Sequence, residues 1–95
     1  MANYKNIQKL LPANDYRTYG KMDWEYVTIH NTANNMPAKN EVSYVHSRQG
    51  EVTYHFAIDD KECIQLLPLT KSAWHAGDGK GNGNTKSVAI EICYS

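Results

Sequence analysis

Apolar and polar residues alternate through Tyr26-Val27-Thr28-Ile29-His30, which predicts a strand with Val27 and Ile29 on one face and Tyr26, Thr28 and His30 on the other. The polar stretch Asn31-Thr32-Ala33-Asn34-Asn35 breaks it. Pro37 then suits an early helical position, and Ala38, Val42 and Val45 recur at helical spacing, so the pattern predicts a helix to about Arg48, ended by Gly50. A second strand is expected over Thr53–Ile58. Asp59-Asp60-Lys61 reads as a tight turn, and Glu62–Leu67 as the antiparallel partner, stopped by Pro68. Four glycines in the seven positions from Gly77 to Gly83 predict an irregular surface loop, since each glycine adds backbone entropy that ordering must overcome. The last strand, Ser87–Cys93, carries Val88, Ile90 and Ile92 on one side and Ala89, Glu91 and Cys93 on the other. Residues 1–23 mix Ile7, Leu10 and Leu11 with Pro12, Asn14, Asp15 and Gly20, the pattern of an extended, turn-rich arm packed across the domain.

Four strands and one helix make an α/β domain with a mixed sheet. The helix covers one side, and no obvious segment covers the other. A length of 95 residues, 41% of them hydrophobic, allows one small core and no second domain. Ten basic and ten acidic residues balance to a formal charge of zero, which excludes a broad cationic nucleic-acid surface. No apolar run approaches the roughly 18 residues of a membrane span. The N-terminal MANYKNIQKLLPAND is too polar for a signal peptide, so the chain is expected to be made in the cytoplasm without a leader. Cys63 and Cys93 lack CxxC or CxxH partners, so no disulfide framework is expected and any metal site must draw on residues far apart.

His30 closes an apolar strand just before a polar turn, where a side chain is held rigidly yet reaches solvent; it reads either as a functional group or as a hydrogen-bonded edge histidine. Glu91 interrupts a run of β-branched and small residues, and a carboxylate there must be paired, face a wet cleft or lie on a solvated side. Tyr54 and His55 are adjacent on a strand and point to opposite faces, so if Tyr54 shares the cleft with His30, His55 is a packing or hydrogen-bonding residue. Trp74-His75-Ala76-Gly77 looks like a ligand-gripping rim, with core closure by Trp74 as the plainer alternative. The glycine loop lacks the order of a phosphate-binding loop, and His46 reads as surface.

Four motifs then carry a resemblance. Thr28-Ile29-His30-Asn31-Thr32-Ala33, Tyr54-His55-Phe56, Trp74-His75-Ala76-Gly77-Asp78-Gly79 and Ile90-Glu91-Ile92-Cys93 resemble, in order and approximate spacing, the zinc-dependent N-acetylmuramoyl-L-alanine amidases. These belong to the type-2 amidase family, which includes the peptidoglycan recognition proteins. The chain is most similar to catalytic domains of bacteriophage endolysins and prophage lysins of Gram-positive bacteria, from about Lys21 to Ser95. The resemblance implies a mixed central sheet flanked by helices, and hydrolysis of the amide between N-acetylmuramic acid and L-alanine of peptidoglycan, causing cell-wall lysis after release. It implies His30 as a Zn2+ ligand, Glu91 as general base, Tyr54 as the group polarising the scissile carbonyl, and Trp74, His75, Gly77 and Asp78 along the substrate groove. The family's two further ligands, a histidine and a cysteine or aspartate, follow the glutamate strand beyond a long helix. Residues 1–95 therefore resemble the N-terminal portion of one amidase domain, with ligands and the second cover of the sheet expected beyond residue 95. Peptidoglycan is the implied partner, with a C-terminal complementary segment or wall-binding domain. Alternatives are a non-catalytic peptidoglycan-binding fragment and half of a split domain; the chain alone is expected to be inactive.

Overall fold

The computed structural model describes residues 5–12, 19–32, 36–47, 52–77 and 81–93. In chain order the elements are β1 (Lys5–Gln8), β2 (Tyr19–Lys21), β3 (Tyr26–Asn31), α1 (Ala38–His46), β4 (Phe56–Ile58), β5 (Glu62–Gln65), β6 (Lys71–Ser72), α2 (Asn82–Thr85) and β7 (Ser87–Ile92). Five strands form one sheet in the order β1-β5-β4-β7-β3, and β2 pairs with β6 in a small second sheet. The sheet is mixed, as expected: β4 and β5 run antiparallel, while β1 lies parallel to β5 and β7 lies parallel to both β4 and β3.

The register decides what shares a face. His30 stands opposite Glu91, Glu91 opposite Ala57, and Ala57 opposite Ile64, so these four lie on one side. Helix α1 packs on that side over β4 and β5. Its stripe of Ala38, Val42 and Val45 is buried with Tyr54, Ala57, Ile64, Ala89 and Cys93 in one core. The stripe and its helix are where the periodicity places them. Pro37, however, is extended and precedes the helix; its carbonyl accepts from the Asn40 and Glu41 N–H groups. The cap comes from elsewhere: Asp59 Oδ2 accepts the Ala38 N–H at 2.8 Å, while its Oδ1 accepts from Lys61 and Glu62, each at 2.8 Å. One buried carboxylate thus starts α1 and closes the β4–β5 turn, its negative charge favoured at a helix N-terminus. Gly50 and Arg48 lie outside the described residues.

The other side of the sheet is apolar and largely open. Val27 and Ile29 are 56% and 65% exposed, Ile92 is partly exposed, and Val88 is buried. Among the described residues no helix is long and apolar enough to cross a membrane.

Three elements depart from the pattern-based reading. The N-terminal arm is not merely draped: β1 extends the sheet at its edge and β2 pairs with β6. The strand expected over Thr53–Ile58 is regular only from Phe56. Just before it the His55 imidazole Nδ1, not a main-chain carbonyl, accepts the Ala89 N–H at 3.0 Å, while the His55 N–H donates to the Ala89 carbonyl at 3.0 Å and its carbonyl accepts from Leu66 at 2.8 Å. Thr53 turns instead to Trp74, exchanging an N–H···O bond of 2.8 Å for one from the Trp74 N–H to its own hydroxyl at 2.9 Å. Finally, the second half of the glycine stretch forms the single turn α2, closed by Thr85 N–H and Oγ1 bonds to the Gly81 carbonyl.

Candidate active site

Neighbouring parallel strands β3 and β7 place His30 and Glu91 side by side at the edge of the α1-covered face, both half-buried. Burial pushes the Glu91 carboxyl above its ordinary value; the His30 imidazole opposes this, and the Glu41 carboxylate on α1 adds to it. A carboxyl of raised pKa beside an imidazole can exchange protons nearer neutral pH than an exposed one.

Tyr54 is buried on the same side, and among the described residues its hydroxyl has no hydrogen-bond partner. Its pKa is raised, first by burial and then by the charges of Glu41, Cys93 and Glu91, so it stays a neutral donor. His55 is fully buried and spent elsewhere: its Nε2–H donates to the Lys71 carbonyl at 2.7 Å and its Nδ1 accepts from Ala89. Of the two neighbours, Tyr54 thus lies near Glu91 and His55 is a hydrogen-bonding residue.

His75 lies closer to the centre than a groove-lining position suggests. Its Nδ1 is 2.9 Å from His30 Nε2, with ring centroids 5.2 Å apart and planes at 76°. Its backbone is fixed by Asn84, whose Oδ1 accepts the N–H groups of His75 and Ala76 at 2.9 and 2.8 Å. Trp74 is half-buried on the same segment, and exposed Gly77 has φ of +70°, a conformation that costs other residues a steric clash with their Cβ. Asp78 lies outside the described residues. His46 is exposed as expected, its Nε2–H donating to the Lys9 carbonyl.

Toward a metal the described residues do not suffice. Among them no group of three His, Cys, Asp or Glu side chains stands close enough to hold an ion. Cys93 is buried with a free thiol, pushed up to about 11 by burial and by the Glu41, Asp59 and Glu91 charges, and its Sγ–H points to the Glu91 carbonyl at 3.8 Å.

Two residues of this site were missed by pattern reading. Glu41 on α1 drew no functional reading from the sequence, and the packing of α1 brings its charge to Tyr54, Glu91 and Cys93. Asn84 looked like loop filler and is in fact buried. Its signal was an amide side chain inside a glycine-rich stretch, where main-chain donors need acceptors.

A carboxyl, an imidazole pair and a neutral phenol gathered at one sheet edge define a site suited to acid–base chemistry on a polar bond. The comparisons give the family: the chain belongs to the N-acetylmuramoyl-L-alanine amidase family, whose model matches residues 20–95. It is 56% identical over 75 residues to the N-acetylmuramoyl-L-alanine amidase XlyB of Bacillus subtilis, covering 78% of this chain and 24% of that protein. It is 53% identical to the amidase CwlA of the same organism, again over 78% of this chain, and 28% of that protein. Among solved structures, PlyL superposes with a TM-score of 0.86 at 44% identity, covering 93% of this chain and 57% of that one. The catalytic domain of XlyA superposes at 0.87 and 40% identity, over 93% and 60%. The chain thus spans about a quarter of the curated relatives and somewhat over half of the solved chains.

Proposed function

We propose that this chain contributes the acid–base half of an amidase site that hydrolyses the bond between the lactyl group of N-acetylmuramic acid and L-alanine of the stem peptide. The observation that carries the reading is Glu91, a half-buried carboxyl of raised pKa standing in register with His30. Glu91 takes a proton from the attacking water and returns it to the leaving amine as the C–N bond breaks, while the Tyr54 hydroxyl donates to the oxyanion of the tetrahedral intermediate. The Trp74–Gly77 segment, whose main chain Asn84 binds, forms the rim that holds the glycan and stem peptide. The open apolar face of Val27, Ile29 and Ile92 supports reading residues 1–95 as the N-terminal portion of one amidase domain, whose remainder covers that face. The substrate lies in the bacterial wall, reached after release from the cell.

The test of the reaction is Glu91→Gln in a domain of the length of the solved relatives, assayed by release of stem peptides from purified wall. The substitution keeps the shape and removes the proton acceptor, so turnover falls by about 10²–10⁴-fold. Turnover within about tenfold of the parent sinks Glu91 as the base. Wall binding without release in parent and variant alike points instead to a non-cutting recognition module.

The zinc implied for His30 belongs to the same proposal, with its other ligands outside the described residues. Metal analysis after dialysis checks it: His30→Ala lowers zinc content and Tyr54→Phe leaves it unchanged, whereas full retention by His30→Ala removes His30 from the ligand set.

A further inference from the structure

Trp74, His75 and Ala76 lie outside every strand and helix, yet the N–H groups of all three go to side-chain oxygens of buried residues. The Trp74 N–H donates to Thr53 Oγ1 at 2.9 Å, and the His75 and Ala76 N–H groups share Asn84 Oδ1 at 2.9 and 2.8 Å. The Thr53 N–H returns a bond to the Trp74 carbonyl at 2.8 Å. Thr53 has no exposure and Asn84 only 3%, so neither oxygen can trade these donors for bulk water. The two clamps come from separate parts of the fold. Thr53 lies on the lead-in to β4, and Asn84 in α2, a turn closed by the Lys86 N–H bond to the Asn82 carbonyl at 2.9 Å and by the Thr85 bonds to Gly81. Between them the segment has one buried end, at Ala73, and one exposed end, at Ala76 and Gly77.

We infer that Thr53 and Asn84 are positioning residues that hold the Trp74–Gly77 rim in its binding shape before a ligand arrives, so that muropeptide affinity depends on two buried side chains beneath the rim. The geometry explains why side chains serve here in place of a ladder. In a strand successive N–H groups point to opposite sides, whereas the N–H groups of His75 and Ala76 converge on one oxygen, which bends the chain. A bend of this kind, left unclamped, samples many conformations, and ordering it on contact subtracts from the binding free energy. The clamps remove that cost in advance. The identity of the ligand rests on the amidase reading above; the clamping of the main chain does not.

The experiment is an NMR titration of the 95-residue chain with N-acetylmuramoyl-L-alanyl-D-isoglutamine, with amide hydrogen exchange read on the same samples. In the parent the Trp74, His75 and Ala76 amides are protected from exchange and shift on binding. Asn84→Ala releases the His75 and Ala76 amides and weakens binding about tenfold, the scale of ordering a short main-chain segment on contact. Asn84→Asp restores both, because its carboxylate accepts the same two N–H groups. Thr53→Val removes the hydroxyl at nearly constant volume, releases the Trp74 amide and weakens binding, and Thr53→Ser restores it. Unprotected rim amides in the parent overturn the inference and need no variant that must fold. Unchanged affinity in Asn84→Ala or Thr53→Val, with the amide spectrum of β7 intact, limits these side chains to stability and overturns it too. So does a folded Asn84→Asp that binds as weakly as Asn84→Ala, or a parent with protected rim amides that does not bind the muropeptide. Failure of the amidase reaction looks different: binding that depends on the clamps, in a chain whose complete domain does not release stem peptides, sinks only the reaction.

Discussion

His55 offers the sharpest test of how this sheet is held together. His55→Phe keeps a flat ring of similar size in a fully buried position but removes both ring nitrogens. The Ala89 N–H, on a residue with no exposure, then loses its acceptor, and the Lys71 carbonyl loses its donor. Stranding a buried donor or acceptor costs about 1–3 kcal/mol, with the lower end for half-buried Lys71, so the variant should lose about 2–4 kcal/mol. For a domain of this size that corresponds to a fall in Tm of roughly 10–25 °C. The loss should depend on pH. Burial holds the His55 pKa below its ordinary value, although its bond to the Lys71 carbonyl pulls the other way. The folded protein therefore keeps the ring neutral where the unfolded chain would protonate it. Its contribution is complete above the unfolded value of about 6.5 and declines as pH falls toward the folded one, by at most about 1.4 kcal/mol per pH unit. Urea denaturation of parent and His55→Phe, from about pH 7.5 down to 5.5, isolates this effect, because other groups titrate in both proteins and cancel in the difference. The stability gap should narrow on acidification. A gap under about 0.5 kcal/mol at neutral pH, or one that stays constant on acidification, refutes the reasoning.

Tyr54→Phe should separate stability from activity: deleting a buried hydroxyl that has no partner among the described residues leaves stability unchanged or raises it by about 1 kcal/mol, while wall hydrolysis in the complete domain falls by about 10²–10³-fold. Thermal melts and stem-peptide release on the same samples check it, and a stability loss would mean that the hydroxyl is bonded. Asp59→Ala should cost about 3 kcal/mol by urea denaturation, since it uncaps α1 and strands the Ala38, Lys61 and Glu62 N–H groups. Burial pushes the Asp59 carboxyl up, but these three donors and the Lys61 charge outweigh it and hold the pKa below the ordinary value. Its stabilisation is therefore present above about pH 3.9 and lost as pH falls through the lower folded value, a limb that Asp59→Ala should lack.

Local periodicity was enough for much of this molecule. The strand at Tyr26–Asn31, the buried stripe of α1, the Asp59–Lys61 turn with its antiparallel strands and the strand carrying Glu91 are all written in residues a few positions apart, because side-chain direction repeats every two residues in a strand and every 3.6 in a helix. Ordered motifs were enough to bring His30, Tyr54, His75 and Glu91 together as candidates for one site, whereas the face Tyr54 takes follows from the irregular backbone before Phe56 rather than from strand alternation.

What only the tertiary structure decided are pairings between distant segments, whose energy depends on partners that no local window contains. Asp59 caps a helix 21 residues earlier in the chain, and β1 joins the sheet beside β5 rather than lying across it. The imidazole of His55, rather than a main-chain carbonyl, takes the Ala89 N–H across the sheet. Glu41 becomes part of the charge around Glu91 because α1 packs over that face. His75 moves from the rim to hydrogen-bond distance of His30 because buried Asn84, nine residues on, binds its main chain. In each case a buried polar group had to find a partner, and the chain could supply one only after it had folded back on itself.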